Sequence, residues 1–340
     1  MKPKRILLDH GSGGLATQEL IEKTFLSRLG NPILSELGDS AIIDTGQGRL
    51  AFTTDSYVVD PIFFPGGDIG LLAVNGTIND LSMRGAAPLG LSLGLILEEG
   101  LEMDELEKIL DSIAAASKVT GVPVVTGDTK VVPKGKADKI FINTSGIGLL
   151  RDGLEICARL ACPGDLVILS GTMADHGATI LTQRPGLGFE GDLKSDTMAL
   201  HRLVMAMIDA AGSSAEAIHT LRDPTRGGVA TAINEIAGFA GIEIEIDEAA
   251  VNIRPEVLAT CEILGLDPFY LANEGKLLAI VEKNMADPII KVMHGYAEGR
   301  DAAVIGRVTY GSAGHVILKT KIGGSRILGP LTGEPLPRIC

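Results

Sequence analysis

Between Leu89 and Thr126 the chain reads as strand, helix, strand, and this succession constrains the fold more than any other stretch. Leu89–Leu97 is an apolar run of strand length. Asp104–Val119 repeats its apolar residues at helical spacing, and Gly121 closes it as a C-terminal cap. Val122–Thr126 returns to a strand pattern. A helix set between two strands buries its apolar stripe on their sheet, which places the region in a mixed α/β (α+β) domain. Strands are expected beside it at Ala41–Ile43, Leu50–Thr54 and Lys139–Leu149, with a helix at Asp68–Arg84.

A second α/β domain follows. Its expected strands are Asp165–Ser170, Ile242–Ile246, Lys276–Val281, Ala302–Val308 and His315–Leu318. Its expected helices are Asp196–Ala211, Gly227–Ala240, Arg254–Leu264 and Met285–His294, with a mobile loop at Arg184–Gly188. The divisions are 1–36, a glycine-rich segment and a helix Thr17–Leu29 capped by Thr17; 37–150; 151–328; and 329–340, an extended tail with three prolines that ends in Cys340. Two domains suit 340 residues. Aromatics are 4% and Trp is absent, so Ala, Val, Ile and Leu must fill both cores.

Net charge is −13 and no five basic residues cluster, which argues against a nucleic-acid surface. No window approaches the ~18 apolar residues of a membrane span. Ile6-Leu7-Leu8 is too short for a signal peptide, so a cytoplasmic protein is expected. Cys157, Cys162 and Cys261 form no CxxC pair, no nearby His completes a zinc pattern, and all three read as structural or incidental. Cys340 differs by position. It is not a prenylation site, which needs Cys fourth from the end.

Five aspartates share a local style. Asp39 precedes a strand, Asp55 ends one, and Asp80 sits on a helix beside Asn79. Asp128 follows a strand after Gly127, and Asp223 precedes a helix. Carboxylates at strand ends and helix starts face the clefts where α/β domains bind ligands, and hard cations such as Mg²⁺ take such oxygens together with phosphates. Each alone also reads as a cap or turn residue. His10-Gly11-Ser12-Gly13-Gly14 is neither a Walker loop nor a dinucleotide fingerprint; it reads as a flexible loop or a phosphate cover.

Together these segments resemble the ATP-binding superfamily of aminoimidazole ribonucleotide synthetase, selenophosphate synthetase and thiamine-monophosphate kinase. The resemblance is carried by Gly38-Asp39-Ser40-Ala41, Thr53-Thr54-Asp55, Asn79-Asp80-Leu81-Ser82-Met83-Arg84-Gly85-Ala86, Gly127-Asp128-Thr129 and Asp223-Pro224-Thr225-Arg226-Gly227-Gly228. Within it, His10-Gly11-Ser12-Gly13-Gly14 and the terminal Pro337-Arg338-Ile339-Cys340 resemble the HypE family of hydrogenase maturation factors. A selenophosphate synthetase would carry Cys or selenocysteine in the N-terminal glycine-rich region; here the first is Cys157.

The resemblance implies a PurM-like fold, with 37–150 as the ATP-binding and homodimerisation domain. It implies ATP bound by His10 to Gly14, Asn79, Gly127 and the aspartates, and Mg²⁺ on Asp39, Asp55, Asp80, Asp128 and Asp223. The implied activity is ATP-dependent dehydration of a carbamoyl group on Cys340 to a thiocyanate, which supplies cyanide to the iron of [NiFe]-hydrogenase. The implied partners are the carbamoyltransferase HypF and the HypC–HypD complex.

The residue types suit that chemistry. A carbonyl oxygen leaves poorly as hydroxide and well as phosphate, so catalysis reduces to positioning and charge neutralisation. From Gly329 to Cys340 an extended tail reaches about 34 Å at ~3.1 Å per residue, enough to carry the thiol between two sites. Lys134 is a candidate for reaching the γ-phosphate or carbamoyl oxygen, and equally an exposed loop lysine. Glu274 is a candidate base, and equally a turn residue. His176, His201, His219, His294 and His315 read as structural. The alternatives are another ATP-dependent enzyme of the superfamily, or a non-catalytic scaffold that presents Cys340.

Overall fold

The computed structural model describes residues 5–184, 192–333 and 338–340. The mobile loop read at 184–188 lies outside these apart from Arg184, as do Pro335 and Pro337 of the tail.

The first sheet has the order β1-β2-β7-β5-β6, from β1 (Ala41–Asp44), β2 (Arg49–Tyr57), β5 (Ala87–Glu98), β6 (Val124–Val132) and β7 (Ile140–Leu149). A small hairpin of β3 (Phe63–Phe64) and β4 (Gly67–Asp68) stands apart. Only β5 and β6 run parallel, which is why a helix must join them. That helix is α3 (Met103–Thr120). It buries Ile109, Ile113, Ala116 and Thr120, one stripe at helical spacing, and ends where Gly121 takes the left-handed conformation, φ 77°. Beneath it, α2 (Ile69–Ser82) is buried almost all round against β2, β7 and α3. Asp68 caps α2 by accepting from the Gly70 and Leu71 amides at 2.7 and 2.9 Å.

The other face of this sheet is bare. Phe52, Leu89, Ile96, Ile147 and Leu149 are exposed there or at its rim, and β6 is exposed along nearly its whole length.

The second sheet has the order β14-β13-β10-β12-β8-β11-β9. Its strands are β8 (Leu166–Leu169), β9 (Ile218–Arg222), β10 (Glu243–Asp247), β11 (Leu278–Val281), β12 (Ala303–Thr309), β13 (Val316–Lys319) and β14 (Ser325–Ile327). Strand β11 is buried at every position, as expected of a strand covered on both faces. Helices α4 (Asp175–Thr182), α5 (His201–Ala211), α6 (Gly228–Ala240), α7 (Pro255–Leu264) and α8 (Ala286–Met293) flank it.

Three local expectations are corrected. The first helix, α1 (Leu15–Leu20), starts before Thr17, because the Thr17 hydroxyl accepts from the Gly13 amide; it continues through a wide turn, Ile21–Leu26, and its Phe25 and Leu29 stay exposed. Asp55 lies inside β2 and Asp128 inside β6, not at their ends. The helix expected from Asp196 begins only at His201, since Asp196 is committed to the Lys276 ammonium at 3.0 Å and the Glu274 amide at 3.1 Å.

Candidate active site

Asp39, Asp80 and Asp223 come from the loop before β1, from α2, and from the end of β9. One carboxylate oxygen of each lies within 4.8 Å of the other two. Asp39 is anchored to the second domain by Arg222, whose guanidinium reaches it at 2.8 Å and Glu235 at 2.6 Å. Asp80 is aimed by Thr53, whose hydroxyl donates to it at 2.8 Å.

Burial pushes Asp39 up to about 6, with Arg222 opposing and Glu235 adding. It pushes Asp223 up to about 8, with the charge on Asp39 adding. Asp80 is raised well above the carboxylate range, first by burial, then by Asp223, Asp55 and Asp39. Carboxyls gathered this closely favour a hard cation, which replaces the protons they otherwise keep. Ser40 Oγ, beside Asp39, is buried with no hydrogen-bond partner among the described residues.

The chain terminus lies in the same place. Val58 donates to the Cys340 carbonyl at 3.0 Å, Asp60 donates to the Arg338 carbonyl at 3.2 Å, and Arg338 Nε returns a bond to the Val58 carbonyl at 2.9 Å. The end of the chain thus pairs with the segment leaving β2. Ile339 is buried. Its carbonyl meets His176 Nε2 at 2.7 Å, and His176 Nδ1 meets Ser195 Oγ at 2.8 Å. Arg338 also pairs with Asp138, in the loop between β6 and β7.

Burial pushes the Cys340 thiol far above its ordinary range; Arg226 opposes this, and Glu274, Asp55 and Asp223 add to it. All four therefore act on the sulfur. A cavity of about 60 Å³ adjoins it, lined by Gly11, Ser12, Arg226, Tyr270 and Ala272 among others. That is room for a group of a few heavy atoms and too small for a nucleoside. A larger cavity, about 260 Å³, opens on the other side of Asp39 between Arg84, Arg159, Arg222, Ile156 and Phe239.

Glu274 is buried, and its Oε1 has no hydrogen-bond partner among the described residues. Burial raises its pKa well above the carboxylate range, and Asp196, Asp223 and Asp55 add to that while Arg226 opposes it. Asp196, also buried, is held below the carboxylate range despite its burial by Lys276 and His176.

The expected residues are thus partly gathered. Asp39, Asp55, Asp80, Asp223, Glu274 and Cys340 share one electrostatic neighbourhood. Asn79 does not face it freely: its amide donates to the Met198 and Glu274 carbonyls at 3.0 and 3.3 Å, and its oxygen accepts from Leu200 at 2.8 Å. Gly11 and Ser12 line the Cys340 cavity. Gly13 and Gly14 instead permit close packing; a Cβ would lie 2.9 Å from Arg226 Cβ at Gly13 and 2.3 Å from the Leu331 carbonyl oxygen at Gly14. The His10 ring turns back to Leu7. Gly127 and Asp128 sit on exposed β6, with Asp128 paired to Lys130. Lys134 lies in the exposed loop held by Glu98 and does not line the cavity beside Cys340.

Sequence reasoning missed Arg222, Arg226, His176, Asp196 and Lys276. Both arginines flank Asp223 in a segment already singled out, so their charge was the available signal. The other three become functional candidates only through contacts distant in sequence.

The two halves match the family models for AIR synthase related protein, the N-terminal domain over residues 37–150 and the C-terminal domain over 162–319. Fold and site therefore define a member of the AIR synthase related class, with the two-domain PurM-like fold. The chain is 50% identical over 97% of its length to the carbamoyl dehydratase HypE of Azotobacter vinelandii, covering 96% of that relative. It is 46% identical over 98% of its length to the Escherichia coli K12 carbamoyl dehydratase HypE, covering 99% of it. A crystal structure of a HypE in complex with ATP superimposes with a TM-score of 0.82 at 50% identity, covering 99% of this chain and 100% of that one. The HypE chain of a HypE–HypF complex gives 0.86 at 43% identity, covering 92% and 99%. The chain belongs to the HypE family, the carbamoyl dehydratases of hydrogenase maturation.

Proposed function

We propose that this chain uses ATP and Mg²⁺ to dehydrate a carbamoyl group carried on its own Cys340, giving a thiocyanate for the cyanide ligands of [NiFe]-hydrogenase. The observation that carries this reading is the placement of Cys340: its sulfur lies beside a small cavity, acted on by Arg226, Glu274, Asp55 and Asp223. Asp39, Asp55, Asp80 and Asp223 supply hard oxygen donors for Mg²⁺; Asp39, Asp80 and Asp223 hold their protons more tightly than usual, first through burial and then through neighbouring carboxylates whose charge Mg²⁺ would neutralise. ATP supplies the phosphoryl group with which the carbonyl oxygen departs as phosphate.

The chain's own groups have separable tasks. Burial disfavours the thiolate and accommodates a neutral thiocarbamate, so the docked site suits the loaded sulfur better than the free one. Arg226 lines the cavity beside Cys340, and its charge suits the negative charge that develops on the departing oxygen. Glu274, whose Oε1 has no hydrogen-bond partner among the described residues, accepts one N–H proton in its ionised form, and the departing phosphate carries the other. The Arg338–Asp138 pair ties the loop that carries Lys134 to the tail.

A relative has been captured in complex with HypF, which supports HypF as a partner; the family resemblance adds that HypF supplies the carbamoyl group and that a HypC–HypD complex receives the cyano group. The bare apolar face of the first sheet and the exposed edge β6 suit a homodimer contact, with Asp128 then at the interface. No helix among the described residues is long and apolar enough to cross a membrane.

The test measures ATP hydrolysis by the carbamoylated chain beside Cys340→Ala. Hydrolysis that requires loaded Cys340, with nucleotide affinity retained in the variant, is expected. Equal hydrolysis by Cys340→Ala would support a small-molecule kinase instead. Binding without hydrolysis in the loaded chain would leave a scaffold.

A further inference from the structure

Away from the aspartates, the second sheet gathers a different set of ligands at the opposite end of β9. Asp165 stands just before β8, His219 sits in β9, and Glu282 follows β11, which lies between those two strands. Cys162 occupies the turn leading to Asp165. The Asp165 carboxylate is buried; Oδ2 accepts from the Cys162 amide at 2.8 Å and meets His219 Nδ1 at 2.7 Å, while Oδ1 lies 3.6 Å from Cys162 Sγ. One ligand atom each from Cys162, Asp165 and His219 lies within 4.8 Å of the others. His219 Nε2 points to Glu282 at 4.0 Å.

A histidine–aspartate pair closing a turn would account for Asp165 and His219 alone. It does not itself require the Cys162 thiol that donates to the second carboxylate oxygen or the carboxylate beside the outer imidazole nitrogen. Both are arrangements that metal sites use. Tetrahedral zinc, at about 2.3 Å from sulfur and 2.0–2.2 Å from oxygen, separates those two ligands by roughly 3.5 Å, close to the spacing observed. His219 meets the other carboxylate oxygen, Oδ2, at 2.7 Å, so a cation held by a single Asp165 oxygen takes the place of the shared proton and turns the carboxylate toward the thiol and the imidazole together. Glu282 then accepts from the far ring nitrogen and fixes the tautomer, the usual outer partner of a ligating histidine.

We propose that Cys162, Asp165 and His219 form a binding site for a divalent ion of the zinc class, distinct from the Mg²⁺ cluster and open at its fourth position. The donor set selects the ion: thiolate and imidazole favour Zn²⁺ and Co²⁺ over Mg²⁺ or Ca²⁺. Charge balances, since one divalent ion with a thiolate, a carboxylate and a neutral imidazole is neutral. Cys162 is exposed, so the open position faces solvent and takes water or a ligand from another molecule. The cysteine was read as incidental because its histidine is 57 positions away, beyond any sequence spacing rule.

The probe is Co²⁺ titrated into the full chain carrying Cys340→Ala, with Mg²⁺ saturating the aspartates. One equivalent is expected to produce a thiolate-to-cobalt charge-transfer band, lost on adding Zn²⁺ and absent when Cys162→Ser is added. Glu282→Gln should keep the band and weaken binding at least about tenfold. Without any change at the site, Zn²⁺ should protect Cys162 from alkylation, read by peptide mass. No band at one equivalent, a band that survives Cys162→Ser, or Cys162 alkylated equally fast with Zn²⁺ would overturn the assignment.

Discussion

His176 Nε2 meets the carbonyl oxygen of Ile339 at 2.7 Å, so a fully buried side chain holds the peptide that precedes Cys340. Burial lowers the His176 pKa, which keeps the ring neutral; with Nε2 donating to Ile339, Nδ1 accepts from Ser195. Phe64 packs edge-on against it, ring centroids 5.6 Å apart. Replacing His176 by Phe leaves the Ile339 carbonyl without its donor, a loss of about 1–3 kcal/mol, or roughly a 5- to 150-fold rise in the undocked tail. Faster alkylation of Cys340, with Cys261 as internal control, is the expected readout; an unchanged rate would show that the bond does not hold the tail.

The thiol itself makes docking pH-dependent. Its pKa is raised by burial from an ordinary 9.0, so the docked state binds the thiol proton more tightly than the free tail does. The resulting stabilisation of docking is complete below about pH 9 and falls about tenfold per pH unit above it. Hydrogen exchange at the Ile339 and Cys340 amides should show earlier release in alkali for the parent than for Cys340→Ser. Identical profiles would contradict the thiol's role.

The aspartate cluster yields a second pH dependence of the same sign. Asp39 and Asp223 are raised from 3.8 to about 6 and about 8. Their contribution to the metal-free fold is complete below pH 3.8 and declines as pH rises toward 8, by up to about 1.4 kcal/mol per pH unit for each titrating carboxyl. Mg²⁺ competes with those protons. Its effect on Tm should therefore grow steadily from about pH 5 to about pH 8, and Asp223→Asn should flatten that trend. A Mg²⁺ shift independent of pH would place the ion elsewhere.

Glu274→Gln preserves shape and removes the proposed base. ATP affinity should hold, while conversion of the loaded thiol falls about 10²- to 10⁴-fold. An equal fall in ATP affinity would make Glu274 a nucleotide contact instead.

Much of the first domain is legible in the sequence because local rules settle it: Gly121 stops α3, Asp68 starts α2, and β7 alternates buried and exposed along its length. Strand β9 escaped notice because His219, Thr220 and Arg222 are polar, and their burial comes from β11 and the Cys157 region. Helix α4 escaped because it is short and opens from Ala174 at φ 73°. Motif resemblance picked out the aspartates, but their meeting depends on contacts such as Asp39 with Arg222, 183 positions apart. Asp196 looked like a helix start until Lys276 supplied its partner.

The central claim is that loaded Cys340 docks in this chain's own cleft and is dehydrated there. The most direct measurement is a single-turnover experiment on the purified carbamoylated protein with ATP and Mg²⁺, followed by intact and C-terminal peptide mass. The expected result is loss of the mass of one water from the Cys340 peptide, with one ATP consumed per chain. ATP consumed while the carbamoyl group stays intact, or dehydration that proceeds equally without ATP, would contradict it.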